Sequence, residues 1–359
     1  MSDPTAPTKT ISDFEAKLDK ADTSVASFEA DDRTLLHIVR GFLRSTPTTV
    51  PALILIVSVV FFGLIAPNFM KASSLSLVLQ QVTVTGIIAI AQTTIILTAG
   101  IDLSVGAILV LTSLIMGKLS VVTGIPAPIG IMVGIFFGGL MGFLNGSLVT
   151  VWRLPPFIVT LGTLSIFSAL KLWYSQSESI RASDIEANAP FLIYFGQTFN
   201  FMGAQVTYGG IALIVLAIVV WYILSHTAWG SHVHAVGDDP DAALLAGIQV
   251  NRVLISVYAF AGVICAFGGW VAIGRVGSVS PIGFETTNLD SITATVIGGT
   301  SLFGGRGSIA GSVLGALIVG VFNTGLTLAG VDDYWQTFTV GILVIVAVAI
   351  DQWLRRAAQ

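Results

Sequence analysis

The sequence predicts an all-α polytopic membrane protein. Of its 359 residues, 54% are hydrophobic and only 10% are charged, whereas about 25% of the residues in a soluble globular protein are charged. The mean hydropathy is +0.89, and the apolar residues fall into long runs separated by short polar stretches. These values exclude a soluble globular chain. The single cysteine, Cys265, lies inside an apolar run, which excludes an intrachain disulfide or a cysteine-based metal cluster.

About ten apolar runs approach the length of a transmembrane helix, which needs about 20 residues. The predicted spans are residues 51–66, 75–98, 102–119, 127–150, 157–174, 207–225, 253–274, 288–301, 308–328 and 335–353. The eighth span is short. Asn145-Gly146 in the fourth span has a counterpart in Asn323-Thr324-Gly325 in the ninth. Successive spans alternate in direction, so the fourth and the ninth cross the membrane in opposite directions. The match suggests two five-helix halves in an inverted repeat, as in many transporters.

Residues 1–45 are polar and acidic and contain no early apolar core of the kind found in a secretory signal peptide. We therefore expect a cytoplasmic tail followed by a transmembrane domain over residues 46–359. With the amino terminus inside, eleven of the sixteen lysines and arginines lie on the cytoplasmic side, which fits the positive-inside rule. This topology places both termini and residues 226–252 in the cytoplasm, and residues 175–206 in the largest external, periplasmic loop.

Glycine recurs at every fourth residue along the fourth predicted span. The positions are Gly130, Gly134, Gly138, Gly142 and Gly146. Overlapping GxxxG motifs let the backbone of a neighbouring helix approach closely, so we expect this helix to be buried in the bundle. A second series, Gly307, Gly311 and Gly315, opens the ninth span.

Residues 226–252 form a polar segment between two long apolar runs. Asp238 and Asp239 followed by Pro240 are typical of the start of a short helix, because an acidic side chain can cap it and proline fits its first turn. Gly247 can end this helix in a left-handed conformation. The polar segment is either a docking surface for a soluble partner or an ordinary loop between membrane helices.

Small residues would leave one side of this short helix almost free of bulk. They are Ala242, Ala243, Ala246 and Gly247. A short helix seated in a groove presents small residues where the two surfaces meet, so we expect this side to face the partner.

Two carboxylates lie at or near membrane depth. Asp102 and Ser104 stand where one apolar run ends and the next begins, so both can cap a helix that starts inside the bundle. Asp290 stands at the external start of the short eighth span. Each of the two carboxylates is therefore either a helix cap or a group that takes part in transport. A charge at the bilayer centre costs about 2.5–3.5 kcal/mol or more and is usually paired or functional. We favour the capping role at both positions.

The sequence lacks the motifs of nucleotide binding and catalysis. Residues 299–307 contain neither the lysine nor the spacing of a P-loop, so we expect no ATP site in this chain. His232 and His234 alternate as on an extended strand with no third ligand nearby, so we expect no metal site. Neither a nucleophile with its base and oxyanion hole nor a nucleic-acid-binding pattern is present. Transport is therefore the expected role.

Four motifs resemble one family. They are TAGIDLSVG at 98–106, LPPFIVTLG at 154–162, AVGDDPDAALLAGI at 235–248 and IGGTSLFGGRG at 297–307. In this order they resemble the membrane permease subunits of bacterial ABC monosaccharide importers, the ribose, xylose and fructose type. The resemblance covers about residues 50–353. The chain departs from the common pattern in its long acidic tail and in Asp238-Asp239-Pro240.

The resemblance implies a homodimer of ten-helix subunits in the bacterial inner membrane. A periplasmic sugar-binding protein would deliver the sugar outside, and a separate ATPase subunit, which binds ATP and Mg, would drive transport inside, so this chain would hold no cofactor. The polar segment would then dock on the ATPase. The residues implied in this coupling are Gly237, Asp238, Asp239, Pro240, Ala243, Ala246, Gly247 and Ile248.

A sugar is polyhydroxylated and uncharged, so weakly polar groups suit its path better than a tightly charged pocket. The expected path residues are Gln80, Gln81, Asp102, Ser104, Asn145, Thr160, Asn288 and Asp290. Two alternatives stay open. An ion-coupled secondary transporter would bind its proton or sodium ion at Asp102 or Asp290, and an ABC permease for branched-chain amino acids would place a fixed charge or a helix terminus near the substrate carboxylate.

Overall fold

The computed structural model describes residues 48–201 and 203–356, and it is almost entirely helical. Its helices are α1 (Thr49–Ile65), α2 (Ala72–Ile96), α3 (Val105–Gly117), α4 (Ala127–Val151), α5 (Pro156–Ser175), α6 (Ala182–Asn188), α7 (Tyr208–His226), α8 (Ala228–Asp238), α9 (Pro240–Leu245), α10 (Val250–Val276), α11 (Thr287–Ile297), α12 (Ile309–Leu328) and α13 (Asp333–Arg356). The prediction of an all-α polytopic membrane protein is confirmed. The expected tail, residues 1–45, lies outside the described residues.

Each of the ten predicted spans coincides with a helix, within a few residues at most ends. Within the described part of the chain, seven helices are long and apolar enough to cross a membrane, counting α3 together with the π-helical turn Lys118–Val122 that extends it. Helix α1 and the first part of α13 are shorter apolar helices. Helix α11 has only 11 residues, as the short eighth span suggested. That all ten cross the membrane stays a prediction.

The expected external loop is folded. It contains α6, a 3-10 helix at Pro190–Gly196, and an antiparallel hairpin of β1 (Thr198–Phe201) and β2 (Ala204–Thr207). The backbone N–H of Gln205 in this hairpin donates to Ser76 Oγ of α2 at 2.8 Å. The loop is therefore attached to the first turns of α2.

The glycine series of α4 packs against α10. A Cβ atom at Gly138 would lie 2.6 Å from the carbonyl oxygen of Gly262, and one at Gly142 would clash with the carbonyl of Tyr258. The opposite face of α4 is open, since Met132 and Phe136 are 70% and 65% exposed. The expectation that the whole helix is buried was therefore wrong, because a four-residue repeat marks one face of a helix only.

Several helix contacts occur twice. Helix α4 packs on α10, and in the same way α12 packs on α2. Helix α3 contacts both α10 and α4, and likewise α11 contacts both α2 and α12. Finally, α5 contacts α3, and α13 contacts α11. In the second glycine series, a Cβ atom at Gly315 would clash with the carbonyl of Ala294, so α12 and α11 approach closely. Gly307 of the same series lies before the start of α12. These pairs correspond to spans 2–5 and 7–10. They support the inverted repeat, which stays a prediction.

Candidate translocation site and coupling surface

The polar segment contains the predicted short helix, which is α9. Asp239 is its N-cap, and the Asp239 Oδ1 atom accepts the backbone N–H groups of Asp241 at 2.9 Å and Ala242 at 3.0 Å. Pro240 is the first helical residue. Gly247 follows the helix with a φ of 84°, in the left-handed region. The capping chemistry expected from the sequence is confirmed.

The residues before α9 are helical as well, which corrects the expectation of an extended strand around His232 and His234. Helix α8 begins at Ala228, after Thr227, whose Oγ1 atom accepts the N–H of Gly230 at 3.2 Å. The alternating pattern of two histidines was too short to decide between strand and helix. His234 Nδ1 lies 3.2 Å from the carbonyl oxygen of Gly305, so this ring contacts the body of the protein.

The polar segment is fixed to the body at Gly237. A side chain at this position would clash with the carbonyl of Leu97, and the same carbonyl accepts the N–H of Gly305 at 3.0 Å. The end of α8 therefore touches both the link after α2 and the link between α11 and α12. Movement of the polar segment can reach these two links directly.

The expectation that the small side of α9 faces outward is wrong for Ala243, whereas Ala242, Ala246 and Gly247 are exposed. That this side faces a partner stays a prediction. Ala243 is only 4% exposed and packs inward, whereas Leu244 and Leu245 are 62% and 90% exposed. Of the other residues assigned to coupling, Gly237 is buried, Ile248 is half-buried, and the remaining five are exposed. The sequence reasoning missed the two leucines, although an apolar pair on a capped polar segment is itself a signal of a contact surface.

Half of the expected path residues form a buried hydrogen-bonded cluster, in which Asn145 Oδ1 has no partner. Asp102 Oδ1 accepts the N–H and the hydroxyl of Ser104, both at 2.6 Å. Asn145 Nδ2 donates to Ser104 Oγ at 2.8 Å and to Asp102 Oδ2 at 3.2 Å. Thr160 Oγ1 donates to the carbonyl of Ile101 at 3.0 Å. All four of these expected path residues are buried, so they join α3, α4 and α5 rather than line an open path.

The capping role predicted for Asp102 and Ser104 was wrong. Ser104 is the N-cap of α3 but makes no side-chain cap bond, and Asp102 accepts the N–H of Ser104 itself. The N–H of Gly106 in the first turn is instead accepted by Asn288 Oδ1 of α11, at 2.7 Å. Two short helices thus meet at their N-terminal ends. Protein buries Asp102 and Ser104 in the non-helical link before α3, as a bilayer would require of such a link at membrane depth.

Asp290 is not a helix cap either. It lies in the first turn of α11 and accepts the hydroxyl of Thr286 at 3.2 Å. A carboxylate in the first turn is favoured by the helix dipole. The side chain also lines a cavity of about 690 Å³, here called the polar cavity.

The polar cavity lies at the end of the bundle opposite the polar segment. Gln80 and Gln81, near the start of α2, line it together with Arg275, near the end of α10. The other ends of these two helices lie at Leu97 and just after the polar segment. Sequence reasoning missed the contributions of Arg275 and of α12 and α13, because hydropathy does not reveal which helix ends converge. The polar residues so missed include Asn323, Thr324, Asp333, Gln336 and Thr337.

The expected path residues therefore divide between two places. Gln80, Gln81 and Asp290 line the polar cavity, whereas Asp102, Ser104, Asn145 and Thr160 form the buried cluster. Asn288 stands between them, on α11, and contacts α3. The structure thus joins the cavity to the cluster through the two short helices.

Comparison with known proteins agrees with this architecture. A protein-family model described as "Branched-chain amino acid transport system / permease component" matches residues 74–348. The chain is 52% identical over 347 residues to the fructose import permease protein of Rhizobium meliloti, covering 96% of each chain. It is 37% identical over 302 residues to the ribose import permease protein of Bacillus subtilis, covering 84% of this chain and 92% of the relative.

A third relative is the D-allose transport system permease protein of Escherichia coli, 33% identical over 307 residues, with 84% of this chain and 91% of the relative covered. No solved structure gave a significant match. The resemblance to permeases of sugar importers is confirmed by these relatives. The chain therefore belongs to the family of transport-system permease components that the family model describes.

Proposed function

We propose that this chain is the membrane-spanning permease subunit of an ATP-driven importer and that it conducts a monosaccharide, fructose or a similar sugar, from the periplasm to the cytoplasm. The observation that carries the proposal is the 52% identity to a fructose import permease over 96% of both chains. The polar cavity at one end of the bundle and the polar segment at the other fit a subunit that receives a solute on one side and a driving partner on the other.

The polar segment is the proposed contact for the ATPase subunit, in which ATP and Mg would bind. Leu245 is 90% exposed on a helix whose caps fix its position, and Leu244 beside it is 62% exposed. An apolar pair of this kind stabilises a contact when a partner removes it from water. The firm attachment of α8 at Gly237 lets a displacement of the partner move the body.

A contiguous set of contacts supports transmission from the polar segment to the polar cavity. The carbonyl of Leu97 touches the polar segment, and the link that follows it carries Asp102 and the buried cluster. The cluster precedes α3, whose Gly106 N–H is bound by Asn288 of α11. Asp290 lies two residues further along α11 and lines the cavity. Rocking of one half against the other would open the cavity to alternate sides.

The proposed assembly is a homodimer in the bacterial inner membrane, with both termini in the cytoplasm. The polar cavity would face the periplasm, where a sugar-binding protein would dock near the folded segment between α5 and α7. The lysine and arginine distribution supports this orientation. Large apolar side chains exposed on α1, α4, α5 and α7 supply the surface that lipid or a second subunit would cover.

A second candidate function is import of a branched-chain amino acid, which two observations support. The description of the family model names these substrates, and Arg275 and Asp290 provide opposite charges in the polar cavity, as an amphoteric substrate needs. The relatives named for sugars, among them the one at 52% identity, favour the monosaccharide.

Reconstitution tests the proposal and its alternatives together. The permease, its ATPase and its binding protein in proteoliposomes should take up radiolabelled fructose or ribose when ATP is inside, and a protonophore should leave the rate unchanged. Uptake that follows an ion gradient without ATP would indicate a secondary transporter. Uptake of leucine but of neither sugar would establish the amino-acid permease instead.

A further inference from the structure

The polar cavity has the size and the mixed lining of a small-molecule site. Its volume of about 690 Å³ lies within the range of about 300–1,000 Å³ that is typical of ligand pockets. Leu77, Leu289 and Val340 contribute apolar surface beside the polar groups. A passage that only conducts needs no such set of groups, because weak polar contacts are enough for an uncharged solute to pass.

Three charged residues line the cavity, namely Arg275, Asp290 and Asp333, and Asp333 already accepts a hydrogen bond from Gln336 at 3.3 Å. The other two, Arg275 and Asp290, have opposite signs. Arg275 Nη2 donates to Gln81 Oε1 at 2.7 Å, which holds the guanidinium in place at the cavity wall. Asp290 accepts one hydrogen bond, from Thr286 at 3.2 Å. Within the described part of the chain these are the only polar side-chain contacts of the two charged groups.

Both charged groups keep capacity for a further ligand. A guanidinium has five N–H donors and a carboxylate has about four acceptor sites, and each side chain uses one of them here. A monosaccharide presents hydroxyl groups that both donate and accept, and its C–H edges are apolar. A site with a fixed donor, a fixed acceptor and apolar surface is complementary to such a molecule.

We propose that the polar cavity binds one monosaccharide directly, with Arg275 donating to sugar oxygens and Asp290 accepting from sugar hydroxyls. This inference rests on the proposed function and adds a selective step within the membrane subunit. Hydrogen bonds to charged groups discriminate strongly between ligands, because a missing hydroxyl leaves a charged group unpaired. The permease itself would then select among sugars after the binding protein has released them.

The test is equilibrium binding of radiolabelled fructose and ribose to the full permease–ATPase complex in nanodiscs, measured by scintillation proximity without the binding protein. We expect saturable binding of at least one sugar to the wild type. Arg275→Met and Asp290→Asn should each weaken it about tenfold or more, the size expected for a lost hydrogen bond to a charged group. Arg275→Lys, which keeps a donor, should weaken it less.

Matched controls are Arg181→Met and Glu285→Gln, since both side chains are exposed and neither lines the cavity. Both should bind sugar as the wild type does. Equal binding by the cavity variants and the controls would overturn the proposed site, and so would the lack of saturable binding in a complex that still imports the sugar with its binding protein. A wild-type complex that neither binds nor imports any monosaccharide would instead refute the proposed function.

Discussion

The side-chain oxygen of Asn288 accepts the backbone N–H of Gly106 at 2.7 Å across 182 residues of sequence. The first turn of α3 is thus capped by a residue of α11, so the two short helices are held together at their N-terminal ends. A Cβ atom at Gly106 would lie 2.5 Å from the same Asn288 oxygen, which leaves no space for a side chain. The contact joins the two halves of the proposed repeat.

Loss of this contact should destabilise the protein. Asn288→Ala removes the acceptor and should cost about 0.5–2 kcal/mol, as other losses of an N-cap do. Asn288→Asp keeps an acceptor at a helix N-terminus and should cost less. Thermal unfolding of the purified protein, followed by fluorescence-detected size exclusion, measures the difference. Equal Tm values for Asn288→Ala and the wild type would show that the contact contributes nothing to stability.

The close approach of α4 and α10 predicts that a single methyl group at the contact is harmful. Gly142→Ala would drive its Cβ into the carbonyl of Tyr258, so the helices must separate and the yield of folded protein should fall. Gly162→Ala on α5 is the matched control, because a Cβ atom there meets nothing within 4 Å. It should be neutral or slightly stabilising, since alanine favours a helix by up to about 1 kcal/mol over glycine. Equal yields of the two variants would contradict the packing described.

The buried cluster predicts opposite outcomes for two substitutions of Asp102. Asp102→Asn should be tolerated, because its oxygen can still accept from Ser104. Its new N–H₂ group would face Asn145 Nδ2, so the Asn145 amide must turn over, which lets Asn145 Oδ1, an atom without a partner, accept from it. Asp102→Leu leaves the N–H and the hydroxyl of Ser104 without this acceptor, at a cost of about 1–3 kcal/mol for each buried group. Folded yield and sugar uptake measure both effects. A well-folded Asp102→Asn protein without transport would favour ion coupling at Asp102.

Membrane topology can be tested with two exposed serines. Ser183 lies in α6 and Ser231 in α8, and the charge distribution places them on opposite sides of the membrane. With Cys265→Ala as background, Ser183→Cys should react with an impermeant maleimide added to the periplasmic side, and Ser231→Cys should react only after the inner membrane is opened. Labelling of both from the periplasmic side would show that the proposed orientation is wrong.

The sequence predicted the parts of this protein that depend on local composition. Apolar run length located a helix at each of the ten predicted spans, because a long apolar run is the signature of a membrane helix, although α11 has only 11 residues. The ends of α9 were marked by Asp239, Pro240 and Gly247, because the residue preferred at a helix end depends only on the local backbone conformation. Features of this kind need no knowledge of distant neighbours.

The features that were missed depend on distant neighbours. Arg275 is a cavity residue because its helix ends beside Gln81, 194 positions earlier. The partner of Gly106 is equally remote, so Asp102, the acidic residue nearby, was assigned the role that Asn288 fills. The inward orientation of Ala243 depends on how α9 packs against α8 and α10, which hydropathy does not encode.

The central claim is that an ATPase subunit drives this permease through the polar segment, and Leu245→Arg tests it most directly. This residue is 90% exposed, so the variant should fold and insert normally. A charge in a contact that excludes water should nevertheless abolish co-purification of the ATPase and ATP-driven sugar uptake together. Gln249→Ala, an exposed neighbour outside α9, should leave both at the wild-type level. ATPase association and uptake that stay at the wild-type level in Leu245→Arg would contradict the account.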